Sequence, residues 1–499
     1  MTDDIPLLIR TLLRDPSCYD HPVQQVQLVE THISWVLLTG TYAYKIKKPV
    51  DLGFLDFSTL EKRHQACTAE VRLNQRLAGD IYQGVVAITG TPEAPRIGVE
   101  GTAFEYAVQM HQFPQEFTLD RLSERGELGI EHIDTLAARV GQFHLNECEA
   151  ATTDRPWGKP EAILQPVMDN FRVLQERVGD EQSKQSLKRL QHWSLAGHER
   201  LVPLMHERVR TGKIRECHGD LHLGNLAWVD GRLVIFDCIE FNPALRWIDV
   251  MSEVAFCFMD LVHRNHRELA YRFLNAWLEV TGDYAGMALL RYYAVYRAMV
   301  RAKVAILRAE QKGATTDVEV ISCLRLAEEL ARPADLQLWI THGYSGSGKT
   351  TASQGMLQKR GMIRVRSDVE RKRLAGMDAH ASSGSTLNEG LYATDVSEHT
   401  YAHLARIAES LLVAGWPVIV DATFLKRRQR DLLRATAQRC RSPFHILDMS
   451  VEKEVLRERI SQRISTGGDA SEADLNVLQH QIASAEPLSA EEMKEIASL

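Results

Sequence analysis

Apolar and polar residues alternate along Val26–Glu30, Ser34–Leu38 and Tyr42–Lys47. A period of two belongs to a strand with one buried face, so these stretches predict successive antiparallel strands. A helical segment near 5–14 precedes them, and from Ser58 to Leu77 the apolar residues fall on one helical face. Val85–Ile88 and Phe104–Met110 are further strand candidates. From about 129 to 212 the pattern is mostly helical. Two short strands then flank residues 218–225, ending at Leu233–Phe236, and helices continue to 330. The order is a small β-rich lobe before a larger helical one.

The pattern changes at Ala331-Arg332-Pro333-Ala334-Asp335, where Pro333 fits a helix stop. Beyond it the chain reads strand 337–341, helix 349–358, strand 363–366, helices through 415, strand Pro417–Val420, helix 427–438, strand His445–Met449 and helix 452–464. Strands alternating with helices predict a parallel sheet covered on both faces. The tail 464–485 reads as a turn and then a helix start. The expected fold is a two-lobed α+β domain over 1–332, followed by an α/β domain with a parallel sheet over 336–499.

Composition narrows this little. The 499 residues are 44% hydrophobic and 25% charged, as in ordinary globular chains. A formal charge of −7 argues against broad nucleic-acid coating, although a local basic groove stays open. Eight cysteines without a CxxC pair fit reduced thiols in a cytoplasmic protein. The start, MTDDIPLLIRTLLRD, is not that of a signal peptide, and no long uncharged apolar stretch predicts a membrane span.

Two motifs carry chemistry. Residues 218–225 read His-Gly-Asp-Leu-His-Leu-Gly-Asn. Phosphoryl transfer needs a carboxylate on the acceptor hydroxyl, metal ligands for the triphosphate and a cation on the phosphates. Asp220 lies in this loop, Asn225 can reach a Mg2+ on the same side, and Asp237 ends the strand Leu233–Phe236. Upstream, Lys45 lies on a strand and Glu70 on the next helix, the usual phosphate-orienting ion pair. Lys47 and Lys48 compete with Lys45 for that role. No Gly-x-Gly-x-x-Gly loop precedes Lys45, only Thr39-Gly40-Thr41. These residues resemble the aminoglycoside phosphotransferase family, within the protein-kinase-like fold, over roughly 30–330. The resemblance implies Asp220 as catalytic base, Asn225 and Asp237 as Mg2+ ligands, Lys45 on the ATP phosphates, and a hinge facing adenine after Met110.

Residues 343–350 read Gly-Tyr-Ser-Gly-Ser-Gly-Lys-Thr, a complete phosphate-binding loop between a strand and a helix. Gly343, Gly346 and Gly348 let backbone N–H groups, with those of Ser345, Ser347 and Thr351, turn toward phosphate oxygens. Lys349 reaches the β- and γ-phosphates, and Thr350 holds Mg2+ with Asp421 as a further candidate ligand. Arg366-Ser367-Asp368-Val369-Glu370-Arg371 follows the next strand, and Arg457, Arg459 and Arg463 could form a lid. Asp368-x-x-Arg371 and Asp421-Ala422-Thr423 resemble the P-loop kinases that include the 5'-polynucleotide kinases, zeta-type toxins and antibiotic kinases, over about 336–485. That resemblance implies Asp368 as general base and Arg371 as an acceptor or phosphate contact. Phe424 stands where the nucleic-acid kinases continue with Asn.

The whole chain resembles a bacterial family of fusions between these two domain types. The resemblance implies an ATP- and Mg2+-dependent double phosphotransferase acting on small hydroxylated acceptors. Three alternatives stay open: a nucleic-acid 5'-end kinase in the P-loop half, a toxin-like kinase of a nucleotide sugar there, or a non-catalytic nucleotide sensor in one half. Fold-level likeness does not set the acceptor.

Overall fold

The computed structural model describes residues 5–53, 55–311, 318–377, 394–466 and 474–497. It divides into two compact units. The first comprises Met1–His132, Asn146–Ala162 and Met205–Glu253, and the second Ile133–Leu145, Ile163–Leu204 and Val254–Leu499.

The first unit is built on a six-stranded antiparallel sheet. Its strands are β1 (Gln27–Glu30), β2 (Ser34–Leu38), β3 (Tyr42–Lys47), β4 (Tyr82–Thr91), β5 (Ala94–Ile97) and β6 (Ala103–His111), in the order β1-β2-β3-β6-β4-β5. The alternation in β3 sends its side chains to two different environments. Tyr44 and Ile46 join Leu37, Ile88 and Ala107 in a core closed by Ile9 and Leu12 of the first helix. Lys45 and Lys47 face the other way, toward Glu70 on the helix Leu60–Ala78. That helix starts at Thr59, whose hydroxyl accepts from the Lys62 N–H, and it buries Cys67, Leu73 and Leu77.

The strand expected at 85–88 is longer and returns through β5. Within β5, Pro95 sits opposite Gly90 on the sheet's edge strand. Proline is tolerated there because an edge strand has unpaired backbone positions.

Two small antiparallel pairs complete this unit. They join β7 (Ile214–Glu216) to β10 (Trp247–Asp249), and β8 (Leu226–Val229) to β9 (Arg232–Ile235). β10 falls within a stretch read from sequence as helical. Asp249 at its end receives Arg208 Nη2 at 2.7 Å and the Met251 N–H at 2.8 Å, which ties down the turn.

The second unit contains the helices Arg267–Thr281, Met287–Gln311 and Val318–Ala331 together with a four-stranded parallel sheet. Its strands are β11 (Leu338–His342), β12 (Ile363–Arg366), β13 (Val418–Asp421) and β14 (Phe444–Asp448), in the order β12-β13-β11-β14. Ile340, Val365, Ile419 and Val420 are fully buried, as a sheet covered on both faces requires. Leu475–Ser484 is a helix, started by Asp474, whose carboxylate accepts from the Val477 N–H. Among the described residues no helix is long and apolar enough to cross a membrane.

Candidate active sites

The first site gathers at the end of β9. Asp237 follows Phe236 with φ 62°, a left-handed backbone that is costly for a residue with a Cβ. The Tyr82 hydroxyl accepts the Asp237 N–H at 3.2 Å, and Asn74 Oδ1 accepts the Cys238 N–H at 2.9 Å. These two bonds fix the bend that turns the Asp237 carboxylate out of the strand. Lys45 Nζ lies 2.5 Å from Asp237 Oδ1 and 2.7 Å from Glu70 Oε1.

Lys47 extends the set, pairing with both Glu70 Oε2 and Glu240 Oε1. Five charges therefore run in a chain, Asp237–Lys45–Glu70–Lys47–Glu240. Burial opposes charge at every member. At Glu70 the two lysines outweigh it and hold the carboxyl below its ordinary value; at Lys45 and Lys47 the facing carboxylates win and raise the ammonium groups. At Glu240 burial wins over Lys47, and its carboxyl is pushed up. Asp237 keeps 46% of its side chain exposed, and Lys45 holds its carboxyl low against desolvation.

The catalytic-loop residues converge on the same place. Asn225 Nδ2 donates to Asp220 Oδ2 and to the Asp220 carbonyl, each at 3.0 Å. Asp220 is close enough for its charge to act on Asp237. His218 lies beneath the loop: its Nε2 bonds the Phe236 carbonyl at 2.8 Å, and its Nδ1 accepts the Asp220 N–H at 3.3 Å. Those partners demand a neutral ring with the proton on Nε2, and burial lowers the His218 pKa accordingly. Gly219, at φ 89°, allows this turn; a Cβ there would sit 2.7 Å from the Leu245 carbonyl oxygen. The β1–β2 connection, Thr31-His32-Ile33, contains no glycine, and Gly40 lies in the β2–β3 turn.

The second site is the loop between β11 and the helix Lys349–Arg360. Gly343 has φ 142°, and a Cβ on it would meet the Met449 carbonyl oxygen at 2.8 Å and Ser347 Oγ at 2.9 Å. Lys349 Nζ donates to the Tyr344 carbonyl at 2.7 Å, folded back along the loop. Ser347 Oγ is buried without a hydrogen-bond partner among the described residues. Asp421, buried at the end of β13, receives Ser353 Oγ at 3.3 Å. In the parallel register Arg366 lies opposite Asp421, which brings the start of the helix Ser367–Leu374 to the same sheet end. Asp368 Oδ1 lies 3.6 Å from Arg371 Nη1, one helical turn on.

The helices Lys453–Thr466 and Leu475–Ser484 pack over this loop through Leu456, Ile460 and Leu478, against Tyr344. Arg459 Nη1 reaches the Gly346 carbonyl at 3.4 Å. The side chain of Arg463 lies outside the described residues. Gln481 was not anticipated: its Oε1 accepts the Ser345 N–H at 2.9 Å and its Nε2 donates to Ser345 Oγ at 3.0 Å. It holds a backbone donor of the kind that loops of this sequence turn toward phosphate.

Both sites suit a magnesium nucleotide. The first presents the carboxylate oxygens of Asp237 and Asp220, the donor type that a hard cation prefers. The second offers a glycine cradle that a Cβ would fill and an orphaned hydroxyl in its wall.

Comparison with known proteins agrees with the two motifs. Residues 61–290 match the phosphotransferase enzyme family, and residues 338–488 match a domain described as an AAA domain. An uncharacterised protein of Mycobacterium tuberculosis (strain ATCC 25618 / H37Rv) is 29% identical over 464 residues, covering 92% of this chain and 91% of the relative. Among solved structures, a choline/ethanolamine kinase family protein from Mesorhizobium loti aligns with TM-score 0.40 and 10% identity, over 64% of this chain and 92% of its own. A sugar kinase from Janibacter sp. HTCC2649 aligns with TM-score 0.26 and 26% identity, over 33% of this chain and 84% of its own. The chain thus matches the phosphotransferase enzyme family over 61–290, in a kinase-like fold, and an AAA-type P-loop domain over 338–488.

Proposed function

We propose that this protein is a bifunctional ATP- and Mg2+-dependent phosphotransferase, with each site phosphorylating a hydroxyl of a small molecule. The observation that carries the reading is the meeting of Asp220, Asn225 and Asp237 beside the Lys45–Glu70 pair. Bound Mg·ATP supplies the phosphoryl group. Asn225 and Asp237 hold the metal, and Lys45, steadied by Glu70, steers the phosphates. Asp220 orients the acceptor hydroxyl and accepts its proton. In the P-loop site Lys349 and the backbone N–H groups hold the phosphates, Thr350 and Asp421 take the metal, and Asp368 is the base with Arg371 as anchor.

Charge pairing favours small acceptors over nucleic acid in the P-loop half. Arg364 and Arg366 are matched to Glu279, Arg428 to Glu398, and Arg430 and Arg434 to Glu492. Arginines already neutralised by carboxylates make a poor track for a polyanion. The free thiols, seven of them buried, fit a reducing cytoplasm.

The test is a phosphotransfer screen with γ-labelled ATP over sugars, nucleosides, aminoglycosides and 5'-hydroxyl oligonucleotides. Asp220→Ala is expected to abolish one transfer, and Asp368→Asn to slow the other by about 10²–10⁴-fold while ATP still binds. Wild-type rates in both variants would overturn the assignment. Transfer to the oligonucleotides alone would favour the nucleic-acid kinase alternative.

A further inference from the structure

β12 is an edge strand of the P-loop sheet, and its outer side is closed by a side chain from the helix Arg267–Thr281. Asn275 Oδ1 accepts the Arg364 N–H at 2.7 Å, and Asn275 Nδ2 donates to the Met362 carbonyl at 3.0 Å. One amide thus supplies the donor and the acceptor that a neighbouring strand would supply. Asn275 is 1% exposed, so water does not substitute for it. One helical turn on, Glu279 faces the same strand. Its Oε1 receives Arg364 Nη2 at 2.6 Å and Nε at 3.1 Å, and its Oε2 receives Arg366 Nη1 at 3.2 Å. Its backbone carbonyl receives Arg373 Nη2 at 2.5 Å, from the helix that carries Asp368.

The guanidinium of Arg364 does not stop at Glu279. Its Nη1 donates to the Thr350 carbonyl at 3.3 Å and to Ser353 Oγ at 3.4 Å. Ser353 Oγ in turn lies 3.3 Å from Asp421 Oδ2. The path Glu279–Arg364–Ser353–Asp421 therefore ends on one metal-ligand candidate, with a branch to the backbone of Thr350, the other.

We propose that Glu279 is a positioning residue for phosphoryl transfer in the P-loop site, fixing Arg364 so that Thr350 and Asp421 are presented to the metal. This rests on the P-loop reading above. The arrangement has a physical logic. A forked guanidinium held on two atoms by a carboxylate has no rotational freedom left, so its remaining N–H is aimed. A buried Arg364 without Glu279 would carry an uncompensated charge beside the metal site, and its side chain would turn toward water or toward Asp421 itself. Glu279 also holds Arg366 and, through its carbonyl, Arg373, on either side of Asp368. One helical residue therefore touches both the metal side and the acceptor side of the loop.

The test uses the full chain. P-loop turnover is read as the part of Mg2+-dependent ATP hydrolysis that Lys349→Ala removes. In Glu279→Gln that part should fall by about 10–100-fold, the scale of a small misplacement transmitted to a reacting centre. The Mg2+ concentration for half-maximal rate should rise several-fold, while the KM for ATP changes little, a split that a general loss of stability does not produce. Arg364→Lys keeps the charge opposite Glu279 but loses the fork, and should shift the Mg2+ requirement in the same direction. It serves where Glu279→Gln melts early. Folded variants with wild-type rate and wild-type Mg2+ requirement overturn the proposal while leaving the P-loop reading intact. If Lys349→Ala removes nothing, the P-loop reading itself falls, and the role of Glu279 with it.

Discussion

At the scale of single residues, the buried lysines differ in what they guard. Lys45 touches Asp237, which water still reaches, whereas Lys47 and both its partners are almost completely enclosed. Removing one member of a buried charge set leaves the others unpaired, at a cost of about 3–5 kcal/mol. Lys47→Met is therefore expected to destabilise the protein strongly in urea unfolding, and Lys45→Met much less, while Lys45→Met alone loses nucleotide binding without a matching loss of fold. Equal destabilisation by the two would contradict this division. His218 gives a pH signature. Its folded pKa is depressed by burial, so below about pH 6.5 the unfolded chain binds the proton more readily. Stability should fall as pH drops from there toward the folded value, by at most about 1.4 kcal/mol per pH unit from this group. His218→Gln keeps a donor for the Phe236 carbonyl and should flatten that part of the curve, measured by urea melts between pH 7 and 5. The loop 218–225 stood out in the sequence because five residue types at fixed spacing leave little room for accident. Lys47 was less so: the period of two that exposed Lys45 puts Lys47 on the same face, but only the fold brings Glu240 to it.

At the scale of elements, strand and helix identities were largely legible, since the periods of two and 3.6 are strong in β2, β3 and the helix Leu60–Ala78. β5 and β10 were not: β5 was masked by Pro95 and β10 by its brevity, while the helix Leu475–Ser484 was read as a helix start with no hint of what it packs on. The loop between β11 and its helix tests how far backbone geometry alone makes the site. Gly343→Ala puts a methyl group against the Met449 carbonyl and Ser347 Oγ while removing no polar side chain. The expected result is a protein that folds but whose melting temperature no longer rises with Mg·ATP. A full ATP-induced rise would mean that the loop adjusts and that the positive φ is dispensable.

At the scale of the whole molecule, the change of pattern at 331–335 falls between the two family matches, 61–290 and 338–488. Compactness groups residues differently, because the helices after 254 cluster with the parallel sheet. Sequence carried no direct sign of this. The nearest hint is Asn275 and Glu279, two polar residues four apart on a helix that otherwise buries Phe273, Leu274, Trp277 and Leu278. Polar groups on a buried face need partners, and partners distant in sequence cannot be named from one helix. A fragment comprising 336–499 is expected to precipitate or to bind ATP more weakly than the full chain, because β12 would present open N–H and C=O groups and Arg364, Arg366 and Arg373 would lose Glu279. Sedimentation and ATP titration of both proteins check this, and equal solubility and affinity would count against it. The sealed strand also constrains how such a gene can evolve. A lineage that split the reading frame near 332 would inherit a P-loop protein with a sticky border and stranded cations, and selection would act on both. Free-standing descendants should therefore have replaced the arginines at the positions of 364 and 366, or grown a strand of their own to cover them, whereas fused descendants should keep asparagine and glutamate facing arginine.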